Sequence, residues 1–177
     1  MQETLPRALL LLAVPLVAQN FALVAQQVVD LFWVGRLGGD AVAAVGLATV
    51  VVGLASVPVY AITIGGQVVT SQRVGADAIG AARRVPFNAA GVAVAAAVVV
   101  GVALVFLAPA IVGLFDTSAR VASMAVAYLT AYSLALVATA ASDALEGGFT
   151  GWGDSRAAFL VNVSAIVVNL VLDPFFI

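Results

Sequence analysis

The chain alternates long apolar segments with short polar connectors. Five apolar segments cover residues 8–34, 41–70, 85–115, 121–145 and 157–177. Each is long enough to cross a bilayer as a helix, which takes about 20 residues. Strands of a transmembrane barrel would be about half as long and would alternate polar with apolar residues. The pattern therefore predicts an all-α fold, a polytopic bundle of transmembrane helices.

The composition supports a membrane environment. Of 177 residues, 64% are hydrophobic and 9% are charged, whereas a soluble domain is about half apolar and about a quarter charged. The mean hydropathy is +1.18. Most of the surface must face lipid, so the sequence predicts an integral membrane protein.

The basic residues predict an orientation. If the segments alternate across the bilayer, one side carries Arg7, Arg73, Arg83, Arg84 and Arg156, and the other carries Arg36 and Arg120. Positively charged residues concentrate on the cytoplasmic side of membrane proteins. We therefore expect a multi-pass protein of the cell membrane with a cytoplasmic N-terminus.

Several chemistries are absent from the sequence. The chain has neither Cys nor His, which excludes disulfides, thiolate or imidazole metal sites and catalysis by either residue type. Phosphate-binding and nucleophile-elbow motifs are also missing. Residues 151–154 spell GxGD, as in intramembrane aspartyl proteases, but the motif falls in a connector. We expect no enzyme, no cofactor and no nucleic-acid partner.

Two segments carry a polar stripe. The polar residues are spaced by seven and then four in both: Gln19, Gln26 and Asp30 in the first, and Asn162, Asn169 and Asp173 in the fifth. Such spacing places each set on one helix face. A buried carboxylate at mid-bilayer costs about 2.5–3.5 kcal/mol on insertion scales, so we expect Asp30 and Asp173 to face protein or water. If the stripes face each other, they line one outward-leaning cavity; alternatively, the amides only join neighbouring helices.

Prolines predict bends beside this cavity. Pro15 lies on the first stripe and Pro174 directly follows Asp173. Each proline lacks an N–H group and frees a carbonyl one turn earlier. We expect Pro15 and Pro174 to couple helix bending to charge, while Pro58 and Pro109 are interpreted as simple packing kinks.

Two further acids stand at the end of the fourth segment. Asp143 and Glu146 are three residues apart. We interpret them as solvated acids at the edge of a connector, with cytoplasmic gating as the alternative.

Three stretches together resemble the first lobe of the multidrug and toxic compound extrusion (MATE) family. They are PLVAQNFALVAQQVVDLFWVGRLGGDAVAAVGLA from residue 15, GWGDSR from residue 151 and NLVLDPFFI from residue 169. The likeness is to the prokaryotic DNA-damage-inducible branch. It departs from the family's pattern at Glu146, where Gln is common.

The resemblance implies a function. Family members are secondary antiporters that export organic cations in exchange for H⁺ or Na⁺, using twelve helices in two lobes. Matched to this sequence, the family's cation-coupling residues are Asp30, Asn169 and Asp173, and the same three residues could bind Na⁺. No other metal site is expected. Gln19, Gln26 and Asn162 are expected to line the substrate cavity.

The resemblance also implies that the chain is partial. Residues 1–177 supply five helices of a six-helix lobe, and the second lobe, needed for function, is expected elsewhere. Two alternatives stay open: a lipid-linked oligosaccharide flippase of the same superfamily, which would need a cationic cavity, and a truncated membrane subunit without transport activity.

Overall fold

The fold consists of helices joined by short turns. The computed structural model describes the backbone from residue 4 to residue 176 and the side chains of residue 10 and residues 13–171. The helices are α1 (Thr4–Arg36), α2 (Gly39–Ala55), α3 (Val57–Gly75), α4 (Ile79–Ala82), α5 (Val85–Val112), α6 (Ala119–Gly151) and α7 (Ser155–Phe176). No strand occurs in this range. The predicted all-α fold is confirmed.

Helix α6 is the centre of the bundle. It packs against α2, α3, α5 and α7, while α1 packs mainly against α7. One buried cluster lies between α2 and the facing halves of α5 and α6, around Leu104 and Leu129. A second lies between α3 and the other halves of α5 and α6, around Val59 and Leu136. The α1–α7 pair therefore lies on one side of α6.

Small residues allow these helices to approach closely. In α5 the buried positions Ala89, Ala93, Ala97 and Gly101 recur every four residues. A Cβ atom placed on Gly101 would lie 3.0 Å from the Ser133 carbonyl oxygen of α6. Because lipid is as apolar as a side chain, such close packing is a main source of helix association in membranes.

The predicted single helix over residues 41–70 is wrong in one respect. The structure has two helices, α2 and α3, which meet at Ser56 with a bend of 51°. Pro58 stands in the first turn of α3, where its missing N–H group costs no intrahelical hydrogen bond. The proline therefore starts a helix after a break, whereas Pro109 does lie inside α5.

The described helices fit a bilayer. By length and hydropathy, the segment Ile79–Val112 and α6 can each cross a membrane, and the bent α2–α3 pair would add a third span; α7 contributes a shorter apolar helix, Ser155–Val171. Large apolar side chains cover the outer faces, including Phe87, Phe106 and Leu134. The chain is a membrane protein, and the total of five spans stays a prediction.

The α3–α6 contact can be tested by cross-linking. A Cβ atom on Gly147 would lie 3.4 Å from Cβ of Gln67, close to the mean of about 3.8 Å in disulfides. We expect Gln67→Cys with Gly147→Cys to form a disulfide on mild oxidation, measured by mass spectrometry as loss of both maleimide-reactive thiols. The chain's lack of Cys gives a clean background. In the control, Gly65→Cys replaces the α3 partner, because Gly65 has open space around it; equal cross-linking of both pairs would contradict the packing.

Candidate functional site

The carboxylate of Glu146 joins three helices. Gln19 of α1 donates from Nε2 to Glu146 Oε1 at 2.5 Å, and Asn162 of α7 donates from Nδ2 to Glu146 Oε2 at 3.2 Å. Glu146 and Asn162 are half-buried, and Gln19 is 8% exposed. Hydrogen bonds to a charged acceptor are among the strongest in proteins. One acid of α6 therefore binds both α1 and α7.

The same two amides leave their oxygens available. Gln19 Oε1 and Asn162 Oδ1 are buried and accept no hydrogen bond from the part of the chain that the structure describes. A buried amide oxygen without a donor is unfavourable by about 1–3 kcal/mol. These oxygens can accept from water or contact a cation, so the cluster around Glu146 is a polar site rather than a closed packing contact.

Two cavities adjoin this cluster. One has a volume of about 440 Å³ and is lined by Gln19, Thr63, Gln67 and Thr150, among others. The second has a volume of about 190 Å³ and is lined by Gln26, Thr139, Ser142 and Asn169, among others. Leu23, Asp143, Glu146 and Asn162 line both. We call the two together the polar cleft.

The cleft brings four members of the predicted stripes together. Gln19 and Asn162 meet at Glu146, and Gln26 and Asn169 line the same smaller cavity. The stripes of α1 and α7 therefore face each other at these levels. Whether these residues contact substrate or ion stays a prediction.

The predicted coupling acids lie further along the helices. Asp30 is half-buried and is not among the residues that line the cleft. It follows Gln26 by four residues, a rise of about 6 Å along α1. Pro15 lies inside α1 and is half-buried. The side chains of Asp173 and Pro174 fall outside the described residues, so the structure leaves the predicted pairing of Asp30 with Asp173 as a prediction.

The interpretation of Asp143 and Glu146 as acids at a connector edge is wrong. Helix α6 continues to Gly151, so both residues belong to the helix and line the cleft. The sequence signal was their spacing, because Thr139, Asp143 and Glu146 follow one helix face. Gly147 and Gly148 directly follow Glu146 and suggested that the helix had already ended.

The GxGD stretch has a structural role in the turn between α6 and α7. Gly153 has φ +83°, and the N–H of Asp154 donates to the Phe149 carbonyl at 2.9 Å. This is the hydrogen bond that closes a helix C-terminus of the Schellman type. The Asp154 carboxylate then accepts from the N–H of Ala157 at 3.0 Å, which caps α7. The motif ends one helix and begins the next.

Removing the Glu146 carboxylate should loosen the α1–α7 pair. We expect Glu146→Leu to lower stability by about 1–3 kcal/mol, because two amide donors lose their acceptor. Glu146→Gln should cost less, since its side-chain oxygen still accepts one of the two bonds. The measurement is thermal unfolding in detergent, with Asp116→Asn as the control because Asp116 is an exposed acid of the α5–α6 connector. A melting temperature of Glu146→Leu equal to that of the control would contradict the assignment.

Comparison with known proteins places the fold. The family model described as MatE matches residues 15–175. A MOP superfamily transporter from Pyrococcus furiosus, whose reverse binding-pocket polarity suggests a different function, superposes with a TM-score of 0.82 at 24% identity over 96% of this chain and 37% of its own. A multidrug resistance MATE family transporter of the MOP superfamily, in an outward-facing conformation, gives the same TM-score and identity over 96% of this chain and 38% of its own. The chain thus spans well under half of either structure. No curated protein matches the chain significantly.

Proposed function

Because the chain belongs to the MatE family, we propose that it forms part of a cation-coupled antiporter that exports organic cations in exchange for H⁺ or Na⁺. In this proposal it contributes helices of the first of two lobes and belongs to the DNA-damage-inducible type. The N-terminus is cytoplasmic, and the second lobe completes the transport path. Alternating access requires two such bundles to move against each other.

The polar cleft is the observation that supports transport. Polar groups within membrane helices are costly, and those that are retained usually mark a path for ions or substrate. Here amides from α1 and α7 and two acids of α6 converge on adjoining cavities. The larger volume, about 440 Å³, falls in the range of small-molecule sites.

The charge of the cleft favours cations over anions. Among the described residues that line it, Asp143 and Glu146 are acidic and none is basic. A flippase for a lipid-linked pyrophosphate would need the opposite charge. The relative from Pyrococcus furiosus is described by its pocket polarity, so pocket charge is a property in which transporters with this fold differ. We therefore prefer an exporter of organic cations.

In this account Asp30, Asn169 and Asp173 carry the coupling. An ionised carboxylate at membrane depth is stabilised when it takes up H⁺ or Na⁺. Carboxylate and amide oxygens are suitable ligands for Na⁺, which, like other hard cations, prefers oxygen. Ion uptake removes negative charge at Asp30 and Asp173 and weakens the hold on a cationic substrate, which then leaves outward.

The test is ion-driven transport by the full-length gene product. Proteoliposomes preloaded with ethidium are placed under an inward H⁺ gradient, an inward Na⁺ gradient or neither, and loss of internal dye is followed by fluorescence. We expect accelerated efflux under at least one gradient and its collapse when an ionophore dissipates that gradient. Equal efflux under all three conditions would contradict a coupled antiporter and favour a membrane subunit without transport activity of its own.

A further inference from the structure

A separate cavity lies at the C-terminal end of α3, where α4 connects it to α5. This cavity has a volume of about 530 Å³ and lies outside the polar cleft. Its lining residues come from the end of α3, from α4 and from the start of α5: Val69, Arg73, Gly80, Ala81, Arg84, Val85 and Asn88. We call it the arginine pocket.

The turn fixes the two arginines on the walls of the pocket. The N–H of Ala78 donates to the Arg73 carbonyl at 2.9 Å, and the N–H of Arg84 donates to the Ala81 carbonyl at 3.1 Å. Asp77 adopts a left-handed conformation with φ 55°, which reverses the chain after α3. Arg73 lies in the last turn of α3 and Arg84 directly precedes α5, so the two arginines line the pocket from different elements.

The lining of the pocket carries two positive charges. No carboxylate is among its lining residues, and within the described chain neither Arg73 nor Arg84 forms an ion pair. The neighbouring Arg83 has a different environment, because it lines a separate cavity together with Asp154. Arg73 and Arg84 therefore share a pocket whose charge would attract an anion, and Arg83 does not line it.

Apolar surface adjoins the same pocket. Val69 and Val85 belong to its lining. On α5, Asn88, Val92 and Val99 follow one helix face, and Val92 and Val99 are 57% and 70% exposed. A ligand with an anionic end and a hydrocarbon chain would match both parts. In a membrane protein that ligand is available from the bilayer itself.

We propose that the arginine pocket binds the headgroup of an anionic phospholipid. The phosphodiester lies between the guanidinium groups of Arg73 and Arg84, which match phosphate geometry with paired N–H donors. The Asn88 amide supplies a further donor, and an acyl chain lies along the exposed face of α5. Basic pockets between transmembrane helices bind anionic headgroups in this way. A zwitterionic lipid carries the same phosphate, but its ammonium group is repelled by the two arginines.

The experiment measures lipid retention and melting of the full-length protein. Detergent micelles contain phosphatidylglycerol, phosphatidylcholine, or phosphatidylcholine with inorganic phosphate. We expect phosphatidylglycerol alone to raise the melting temperature and to remain bound as a discrete adduct in native mass spectrometry. Arg73→Gln and Arg84→Gln should each weaken retention about fivefold, as expected for the loss of one basic group at a membrane surface. Melting in phosphatidylcholine shows that each variant is folded, and if one arginine variant fails to fold, the other provides the test.

Arg83→Gln is the matched control. It removes the same charge from the same turn but from the cavity that also contains Asp154, so it should retain the lipid like the wild type. Equal loss in Arg83→Gln and Arg84→Gln would overturn the proposal in favour of diffuse surface charge. Equal stabilisation by both lipids would overturn headgroup recognition, and full protection by inorganic phosphate would overturn the lipid in favour of a free anion. These results do not depend on transport activity.

Discussion

Replacing Asp30 or Asp173 with Asn is expected to abolish ion-driven efflux by the full-length protein. Asn keeps the volume and an oxygen ligand but carries no charge and takes up no proton. Without the coupling carboxylate, the ion gradient no longer drives efflux. We therefore expect the gradient-driven rate to fall at least tenfold, which is equivalent to about 1.4 kcal/mol or more. The measurement is ethidium efflux from proteoliposomes under the gradient that drives the wild type.

The control for these variants is Asp116→Asn, which removes one acid from an exposed connector. Expression and melting temperature should match the wild type in all three proteins. Undiminished gradient-driven efflux in both Asp30→Asn and Asp173→Asn would contradict their role. Full loss in Asp116→Asn as well would show a general effect of charge.

Adding a side chain at Gly151 is expected to disrupt the junction of α6 with α3. A Cβ atom there would lie 2.7 Å from the carbonyl oxygen of Gln67 and 2.8 Å from Cβ of Thr70. Because backbone must move to relieve this contact, Gly151→Ala should cost about 1–3 kcal/mol, and Gly151→Val more. Thermal unfolding in detergent and the yield of folded protein measure the effect.

Gly91→Ala is the matched control for this substitution. A Cβ atom on Gly91 would meet no atom of another helix within 4 Å, and Ala is favoured over Gly inside a helix by about 0.5–1 kcal/mol. Gly91→Ala should therefore be neutral or stabilising. If both variants melt at the same temperature, the close approach of α6 to α3 is wrong.

The all-α fold class could be predicted because it depends on the apolar composition and the hydrophobic periodicity of the segments. Segments this apolar have no stable alternative to helices in lipid, where every backbone N–H and C=O group must be paired within the protein. The stripes were visible for a related reason: Gln19 and Gln26 are spaced by seven residues, as are Asn162 and Asn169, which puts each pair on one face of a helix. The structure brings both pairs into one cleft.

The end of α6 could not be predicted, because glycine can either interrupt a helix or allow close packing within one. Glycine usually interrupts helices, so Gly147 and Gly148 suggested a connector. In the structure α6 runs through them, and a Cβ atom on Gly148 would lie 2.6 Å from the ring of Pro86. These glycines permit close packing. The misplaced boundary moved Glu146 out of the helix and hid its contacts with two amides.

At Ser56 the sequence predicted only a kink caused by Pro58, and the break between two helices was missed. Neither side of Ser56 carries a polar interruption, and residues 50–60 read as one apolar run. In the structure α2 and α3 contribute to separate buried clusters against different halves of α5 and α6. Hydrophobic periodicity reports which residues are apolar, and it does not report which partner each half of a segment will meet.

The central claim is that a coupling ion and a cationic substrate compete for one acidic path through these helices. The most direct measurement is ion release on substrate binding. Tetraphenylphosphonium is added to the purified full-length protein in weakly buffered detergent solution, and released H⁺ is followed with a pH dye and released Na⁺ with a sodium electrode. We predict release of one of the two ions from the wild type and none from Asp30→Asn or Asp173→Asn. Substrate binding without release of either ion, and with an affinity independent of pH and Na⁺, would contradict the account.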